Sequence, residues 1–481
     1  MGAGVGGLAA AIRIGAAGHD VTVFERSPTA GGKLAAYERE GFRFETGPSL
    51  LTLPSVFDDL LALAGMSLPD PVALDPACAY RFADGSGFRA RGTLDDTVAE
   101  VESFSPGSGA AWREFHDRGR RVWEVSERTF FAGPMDSPGA LARRLRSPGD
   151  LLAIDPFPSL AGRAARSFAD PRLRQWAGRY ATYAGSSPYR TPATLACIPF
   201  IEQEYGCWYL PGGLATLATA LAEAAGKVGV EIRTGADVAR LAIRSGRVTG
   251  LELAAGGTED ADIVVSDVDA DHLYRDLLPH PRRLAQVGRA GRSSSGFVLL
   301  LALNGRTSVR THHSVSFSAD YRHEFGQIFD AGVPPDDPTI YVCNASVTDP
   351  TAAPEDAESW FVLVNVPAGG RTDWRTAAGP YRERILDVLA ERGFDVRGRM
   401  RWCEVITPAD IEGRYRAAGG AIYGSSSNGR RSVFLRAANR GPVAGLYLVG
   451  GSAHPGGGLP LVAIGGRIVA AMVAADQEEA S

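Results

Sequence analysis

Glycines at positions 2, 4 and 7 form a Gly-x-Gly-x-x-Gly motif, and no other feature constrains the fold of this chain as tightly. An Ala/Leu/Ile-rich segment of helical pattern follows, to Gly18. Asp20-Val-Thr-Val-Phe-Glu25 then reads as a buried strand ending in an acid. Gly2 permits a tight turn, Gly4 lets backbone approach a pyrophosphate, and Gly7 allows close helix packing. The helix N-terminus would face the anion, and Glu25 could accept ribose hydroxyls. Ala3, Val5 and Gly6 share this loop, and Arg26 follows the acid. Glycines, helix, strand and acid in this order predict a dinucleotide site in an α/β fold with a Rossmann-type unit. Such a unit begins with an apolar strand, whereas here Met1 directly precedes Gly2. Either an apolar strand residue belongs where Met1 stands, or the sheet lacks its central strand.

Composition narrows the class. The 481 residues, 45% of them hydrophobic, suffice for two or three domains with sizeable cores. A net charge of -5 gives no reason to expect a nucleic-acid partner. Five cysteines without a CxxC argue against a disulfide framework or a structural zinc site, and they fit a reducing cytoplasm. His312 and His313 are adjacent but lack further ligands at metal-binding spacing, so no metal is expected. The N-terminus has no signal-peptide pattern. The longest apolar run, Leu461 to Ala475, is interrupted by Gly465, Gly466 and Arg467, so no bilayer span is expected.

Two further stretches point to a particular family. Gly31-Gly32-Lys33-Leu34 and the Gly41–Ser49 segment, with Glu45-Thr46-Gly47-Pro48-Ser49, follow the acid. Near the other end, Gly445–Gly450 reads as a strand and Gly451-Ser-Ala-His454-Pro-Gly-Gly-Gly458-Leu459-Pro460 as a glycine loop before a helix. Together they resemble the bacterial carotenoid (phytoene) desaturases, within the superfamily of flavin-containing amine oxidases. Lys33 stands where the family's signature usually has arginine. A point contact to a phosphate is its expected role.

The resemblance implies FAD as cofactor, bound by the Gly2–Gly7 loop, Glu25, Arg26, Gly32, Lys33 and Thr46–Ser49. Val238 would reach the adenine through its backbone, and Gly450, Gly451, Gly458, Leu459 and Pro460 would complete the site. The FAD-binding domain is then assembled from residues 1–75, 206–290 and 440–481. Residues 76–205 form a helical cap, and 291–439 a mixed-sheet substrate domain. Ser295–Leu303, Thr339–Cys343 and Trp360–Val366 read as strands flooring a cavity. Between Ser137 and Tyr180, eight arginines face three acids among interleaved leucines and phenylalanines, a pattern suited to an anionic membrane surface.

The implied reaction is desaturation of an apolar polyene. Alkyl C–H bonds are too weakly acidic for a side-chain base alone. A hydride would pass to the flavin and the resulting allylic cation would lose a proton. Catalytic candidates are His454 and Glu45, with Glu202 or Glu204 as further acids. The electron acceptor would be oxygen or a membrane quinone, and the expected location is the cytoplasm, at the inner face of the cell membrane. Rival readings are a terminal-methyl oxidase or flavin-dependent isomerase of carotenoids, an amine oxidase, and a non-catalytic carotenoid carrier.

Overall fold

The computed structural model describes residues 1–307 and 311–479. A parallel array forms the nucleotide-binding half. Thr22–Phe24 pairs in parallel with Glu231–Arg233, and Val264–Ser266 pairs in parallel with Leu446–Leu448. Met1–Ala3 lies between the two pairs. The Met1 amino group donates to Val265 O (2.9 Å), Gly2 N to Phe24 O (2.8 Å), and Asp267 N to Met1 O (2.9 Å). The first three residues thus hold the centre of the array at its C-terminal edge, where ligands bind in sheets of this kind.

The helix Val5–Ala16 packs against Ala215–Lys227 and against the C-terminal helix Leu459–Glu478. The last contact explains Gly465 and Gly466. A Cβ at Gly466 would stand 2.8 Å from Ala10 N, so glycine here lets two backbones touch. The two glycines were expected to interrupt the apolar run. Instead the helix passes through them, and its 20 residues are long and apolar enough to cross a membrane by length and composition. Here the helix is half buried and packs on Val5–Ala16.

A seven-stranded mixed sheet carries the other half. Its order is Met400–Ile406, Ser295–Asn304, Ala357–Val366, Ile340–Asn344, His313–Ser316, Cys78–Arg81 and Gly87–Ala90. Ser295–Asn304 is apolar along nearly its whole length because both faces are covered. Phe297, Leu299, Leu301 and Leu303 pack under the helix Trp374–Glu391. Val298, Leu300 and Ala302 pack with Phe42, Phe44 and Phe361 on the opposite face.

Residues 76–205, read from sequence as a helical cap, in fact begin with two strands of this sheet, Cys78–Arg81 and Gly87–Ala90. Helices follow, among them Leu94–Phe104, capped by the Thr93 side chain, and Gly109–Thr129. Trp112 stacks on Trp176 with ring centroids 3.7 Å apart, tying this layer together over Tyr80, Phe88 and Phe317.

Candidate active site

A continuous cavity of about 500 Å³ runs from the N-terminal glycine loop to the aromatic cluster of the helical layer. Two helices begin on it. Val5–Ala16 starts after Gly4, and Leu459–Glu478 after Gly458, with Pro460 in its first turn; neither has a side-chain cap. Apart from the Gly7 N–H, which donates to Asp267, no capping side chain takes their first N–H groups, and both helix dipoles favour negative charge at that point.

The surrounding glycines are required sterically. A Cβ on Gly7 would overlap Gly2 O, and one on Gly47 would overlap Lys33 O. A Cβ on Gly6 would lie 2.8 Å from Gly450 N, where the two glycine loops meet. Gly32 approaches Gly4 in the same way, at 3.1 Å from its Cα. A cradle that side chains would fill, under two uncapped helix ends, fits a pyrophosphate.

Glu25 fixes the next part. Its Oε2 accepts from Ala3 N and its Oε1 from Ser27 N, both at 2.7 Å. A carboxylate retains further lone pairs after two such bonds, and Glu25 lines the cavity where ribose hydroxyls would donate to them. Arg26 reaches across to the carbonyls of Gly413 and Arg414, and Val238 lines the same end of the cavity beside Ala236 and Asp237.

The chain matches the family described as flavin containing amine oxidoreductase over residues 5–391. It belongs to that family.

Several similar proteins carry carotenoid names. A 4,4'-diapolycopene oxygenase of Methylomonas sp is 34% identical, over 99% of this chain and 97% of its own. A 1-hydroxycarotenoid 3,4-desaturase of Flavobacterium sp. (strain P99-3) is 34% identical, covering 98% of each chain. A hydroxyneurosporene desaturase of Rubrivivax gelatinosus is 32% identical over 100% of this chain and 94% of its own. Among solved structures, putrescine oxidase bound to putrescine superposes with a TM-score of 0.67 at 15% identity, covering 98% of both chains. An oxidoreductase from Methanosarcina mazei gives 0.61 at 17% identity, over 97% and 98%. The shared fold is that of FAD-dependent amine oxidases, and the dinucleotide is FAD.

In this flavoprotein Glu25→Ala is expected to weaken FAD binding about 30-fold, the equivalent of one charge-assisted hydrogen bond of about 2 kcal/mol. Fluorescence titration of the apoprotein with FAD measures it; an unchanged affinity would remove Glu25 from the site.

The other sequence-predicted residues divide between lining and support. Gly2, Gly4, Val5, Gly6, Gly32, Lys33, Thr46, Gly47, Pro48, Ser49, Gly450, Gly451, Gly458, Leu459 and Pro460 all line the cavity. Ala3 and Gly7 stand behind the loop and shape it. Lys33 Nζ donates to Ile422 O (2.6 Å) and also reaches Ala421 O, so it ties the N-terminal half to the 421–422 turn. Burial lowers its pKa, against the pull of Asp269 and Asp267.

Both catalytic candidates are placed outside the cavity lining. His454 is buried, its Nε2 2.7 Å from Phe130 O, while its own carbonyl accepts from Asn439 Nδ2 (2.8 Å). Burial pushes its pKa down to about 4, so the ring is neutral and braces the glycine loop. Glu45 accepts from Leu214 N at the start of the helix Ala215–Lys227. Burial raises it to about 7. Of the two further acids, Glu204 is exposed, while Glu202 is buried, lines the cavity and accepts from Tyr183 Oη.

Sequence reasoning missed three groups. Asp267, in the loop after Val264–Ser266, stands against Gly4, Gly6 and Gly450. Its signal was the strand ending in acids, Val-Val-Ser-Asp267. Arg436 donates to Gly451 O and Ser425 O, both at 2.7 Å, and so holds the C-terminal glycine loop. Cys343 pairs in register with His313, so that His312, His313 and Cys343 bring their ligand atoms within 4.8 Å of one another. No spacing in the sequence could show that trio, because strand pairing creates it. Burial keeps both imidazoles neutral and raises the thiol pKa.

Proposed function

We propose that this flavoprotein desaturates a carotenoid or carotenoid precursor. The observation that carries the reading is the continuity of the FAD cradle with an apolar and aromatic chamber, walled by Val298, Phe361, Leu363, Ile406, Ile411 and Tyr423. A long polyene fits such a chamber, and the names of the curated relatives support it. Bound FAD supplies the hydride acceptor. The protein holds the polyene against it and excludes water. One C–H bond leaves with its electron pair, the neighbouring carbon loses a proton, and a C=C bond forms. Glu202, held by Tyr183, offers a carboxylate to the positive charge that develops between those steps. Electrons then pass to oxygen or a membrane quinone. Anaerobic mixing of the FAD-loaded protein with acyclic polyenes tests the reading. Flavin bleaching with a red-shifted polyene spectrum is expected. Oxygen incorporation at a terminal methyl would instead favour the oxygenase reading, which the diapolycopene oxygenase relative supports. No bleaching with any polyene would sink both.

The substrate's solubility implies collection from a bilayer. Leu151, Leu152 and Phe157 are 38%, 67% and 53% exposed, and Arg143, Arg146, Arg166 and Arg430 are exposed in the same region of the chain or beside it. Arg430 itself donates to Phe157 O (2.9 Å). Apolar tips among arginines suit insertion at an anionic surface, here the inner face of the cell membrane, and five free cysteines accord with the cytoplasmic side. Leu152→Asp with Phe157→Asp is expected to lower binding to phosphatidylglycerol vesicles at least about tenfold, since two apolar insertions are lost. Wild-type protein that fails to sediment with those vesicles would refute the docking surface.

A further inference from the structure

Three buried ligating groups meet where the strand His313–Ser316 pairs with Ile340–Asn344. His312, His313 and Cys343 are 3%, 2% and 3% exposed. One ligand atom from each lies within 4.8 Å of the other two. His313 Nδ1 lies 2.8 Å from Tyr341 Oη, and His312 Nδ1 lies 2.8 Å from Thr348 Oγ1. Both Nε2 atoms are left without a partner among the described residues. Tyr341 Oη is held in turn by Ser49 Oγ at 2.7 Å. The two imidazoles stand edge to face with centroids 4.5 Å apart, and the Tyr209 ring lies 4.8 Å from His312.

Either tautomer leaves one ring nitrogen unpaired in both histidines, and buried polar atoms of this kind are costly. With Nδ1–H donating to the hydroxyl oxygen beside it, each Nε2 keeps a free lone pair. Imidazole ligands of metal ions are oriented in this way, by a hydrogen bond from the other ring nitrogen. Two nitrogens and one sulfur suit a soft or borderline cation, whereas Mg2+ and Ca2+ need oxygen ligands. Number and charge narrow the choice. Zn2+ takes four ligands and would leave a net positive charge beside a single thiolate. Cu+ is soft, and its one charge cancels that of the thiolate, so the filled site is neutral in a buried setting. The acids that act on the trio are already engaged, since Asp349 pairs with Arg43 and Glu45 accepts from Leu214 N. The Cys343 thiol proton passes to solvent as the metal–sulfur bond forms. Metal bonds of about 2.0–2.3 Å draw the three atoms inward by about 1 Å, which rotation of the imidazoles supplies.

We infer that His312, His313 and Cys343 bind one Cu+ ion beside the flavin cavity. The sequence shows two adjacent histidines without a third ligand, and the strand register supplies it. His313 lines the cavity, and the Tyr341–Ser49 hydroxyl pair links it to the Thr46–Ser49 segment of the FAD cradle. An ion at this point ties the seven-stranded sheet to that segment, so loading is expected to raise the melting temperature of the holoprotein. The inference stands apart from the desaturase reading, because its readouts are metal content and ligand identity rather than turnover.

The test uses the full-length FAD-loaded protein, titrated anaerobically with Cu+ against the chromogenic chelator bicinchoninate. Wild type is expected to bind one equivalent. Cys343→Ser, His312→Gln and His313→Gln should each weaken binding at least about 100-fold, and Thr348→Val, which removes only an orienting partner, about tenfold. Cys78 and Cys207 also line the cavity, so the Cys78→Ser/Cys207→Ser protein should keep its equivalent. X-ray absorption at the copper edge should show one sulfur and two imidazole nitrogens. Zn2+, titrated in parallel, should bind more weakly than Cu+. No bound Cu+, tighter binding of Zn2+, or a copper equivalent that survives Cys343→Ser overturns the inference. Should a variant fail to fold, the wild-type absorption spectrum decides: one sulfur with two imidazoles supports the site, and any other shell overturns it.

Discussion

Replacing Gly7 with alanine is expected to leave a protein that no longer retains FAD. The new Cβ would overlap the carbonyl oxygen of Gly2. That carbonyl cannot retreat freely, because Gly2 N donates to Phe24 O (2.8 Å) and Ala3 N to Glu25 (2.7 Å). The loop must leave either the strand or the acid, and both changes open the cradle. Overpacking a rigid contact costs up to about 3 kcal/mol, which corresponds to an affinity loss of roughly 100-fold. The measurement is the flavin content of purified protein, followed by titration of the apoprotein with FAD. Gly226→Ala is the matched control. It lies within the helix Ala215–Lys227 with nothing near its Cβ position, and alanine there should stabilise by about 0.5–1 kcal/mol. Wild-type FAD affinity in the Gly7→Ala protein would show that the loop bends where the structure holds it fixed.

The second large effect concerns pH. Burial raises the Asp267 carboxyl from 3.8 to about 7, opposed by the Gly7 N–H, the Met1 amino group and Lys33, while Glu25 adds to the rise. The native state therefore holds a proton that the unfolded chain releases near its ordinary pKa. Stability is unaffected below about pH 4, falls as pH rises towards 7, and carries the whole penalty above 7. A shift of that size sets a ceiling of about 4 kcal/mol, and water in the cavity reduces it. The same carboxylate, once ionised, would repel a pyrophosphate held in the cradle, since it stands against Gly4 and Gly6. FAD affinity is thus expected to drop by about tenfold between pH 6 and pH 8. Asp267→Asn should flatten that dependence, bind FAD more tightly at pH 8, and raise the alkaline melting temperature of the apoprotein. Equal pH profiles for the two proteins would show that Asp267 is already ionised, or screened, at neutral pH.

Much of the cradle was legible in the sequence because its signals are local. The Gly2-x-Gly4-x-x-Gly7 loop, Glu25 and the Gly450–Pro460 segment each combine a strand, a turn and a helix within a few residues, and backbone sterics alone fix what such a segment does. The apolar run Ser295–Leu303 announced a strand covered on both faces for the same reason. What the sequence concealed was created by pairing at long range. Cys78–Arg81 joins the sheet only by lying parallel to His313–Ser316, more than two hundred residues away, and nothing in its own composition distinguishes it from a loop in a helical region. Arg179 looked like one more basic residue in an arginine-rich stretch. Its place among three tyrosine rings is a property of the aromatic walls that surround it. His454 was misleading in the opposite sense, since its proximity in sequence to the glycine loop suggested chemistry, whereas its ring turns away to Phe130.

The helices Val5–Ala16 and Leu459–Glu478 open on one anion site and touch through Gly466, yet they stand at opposite ends of the chain. A ribosome adding about 5–20 residues per second needs roughly half a minute or more to make the second after the first. Through that interval the early glycine loop has no counterpart to close on, and the apolar face of Val5–Ala16 has no C-terminal helix to cover it. The complete cofactor cradle therefore forms only after the helix Leu459–Glu478 has been made. Until then the apolar face of Val5–Ala16 is a surface prone to associate with other unfinished chains.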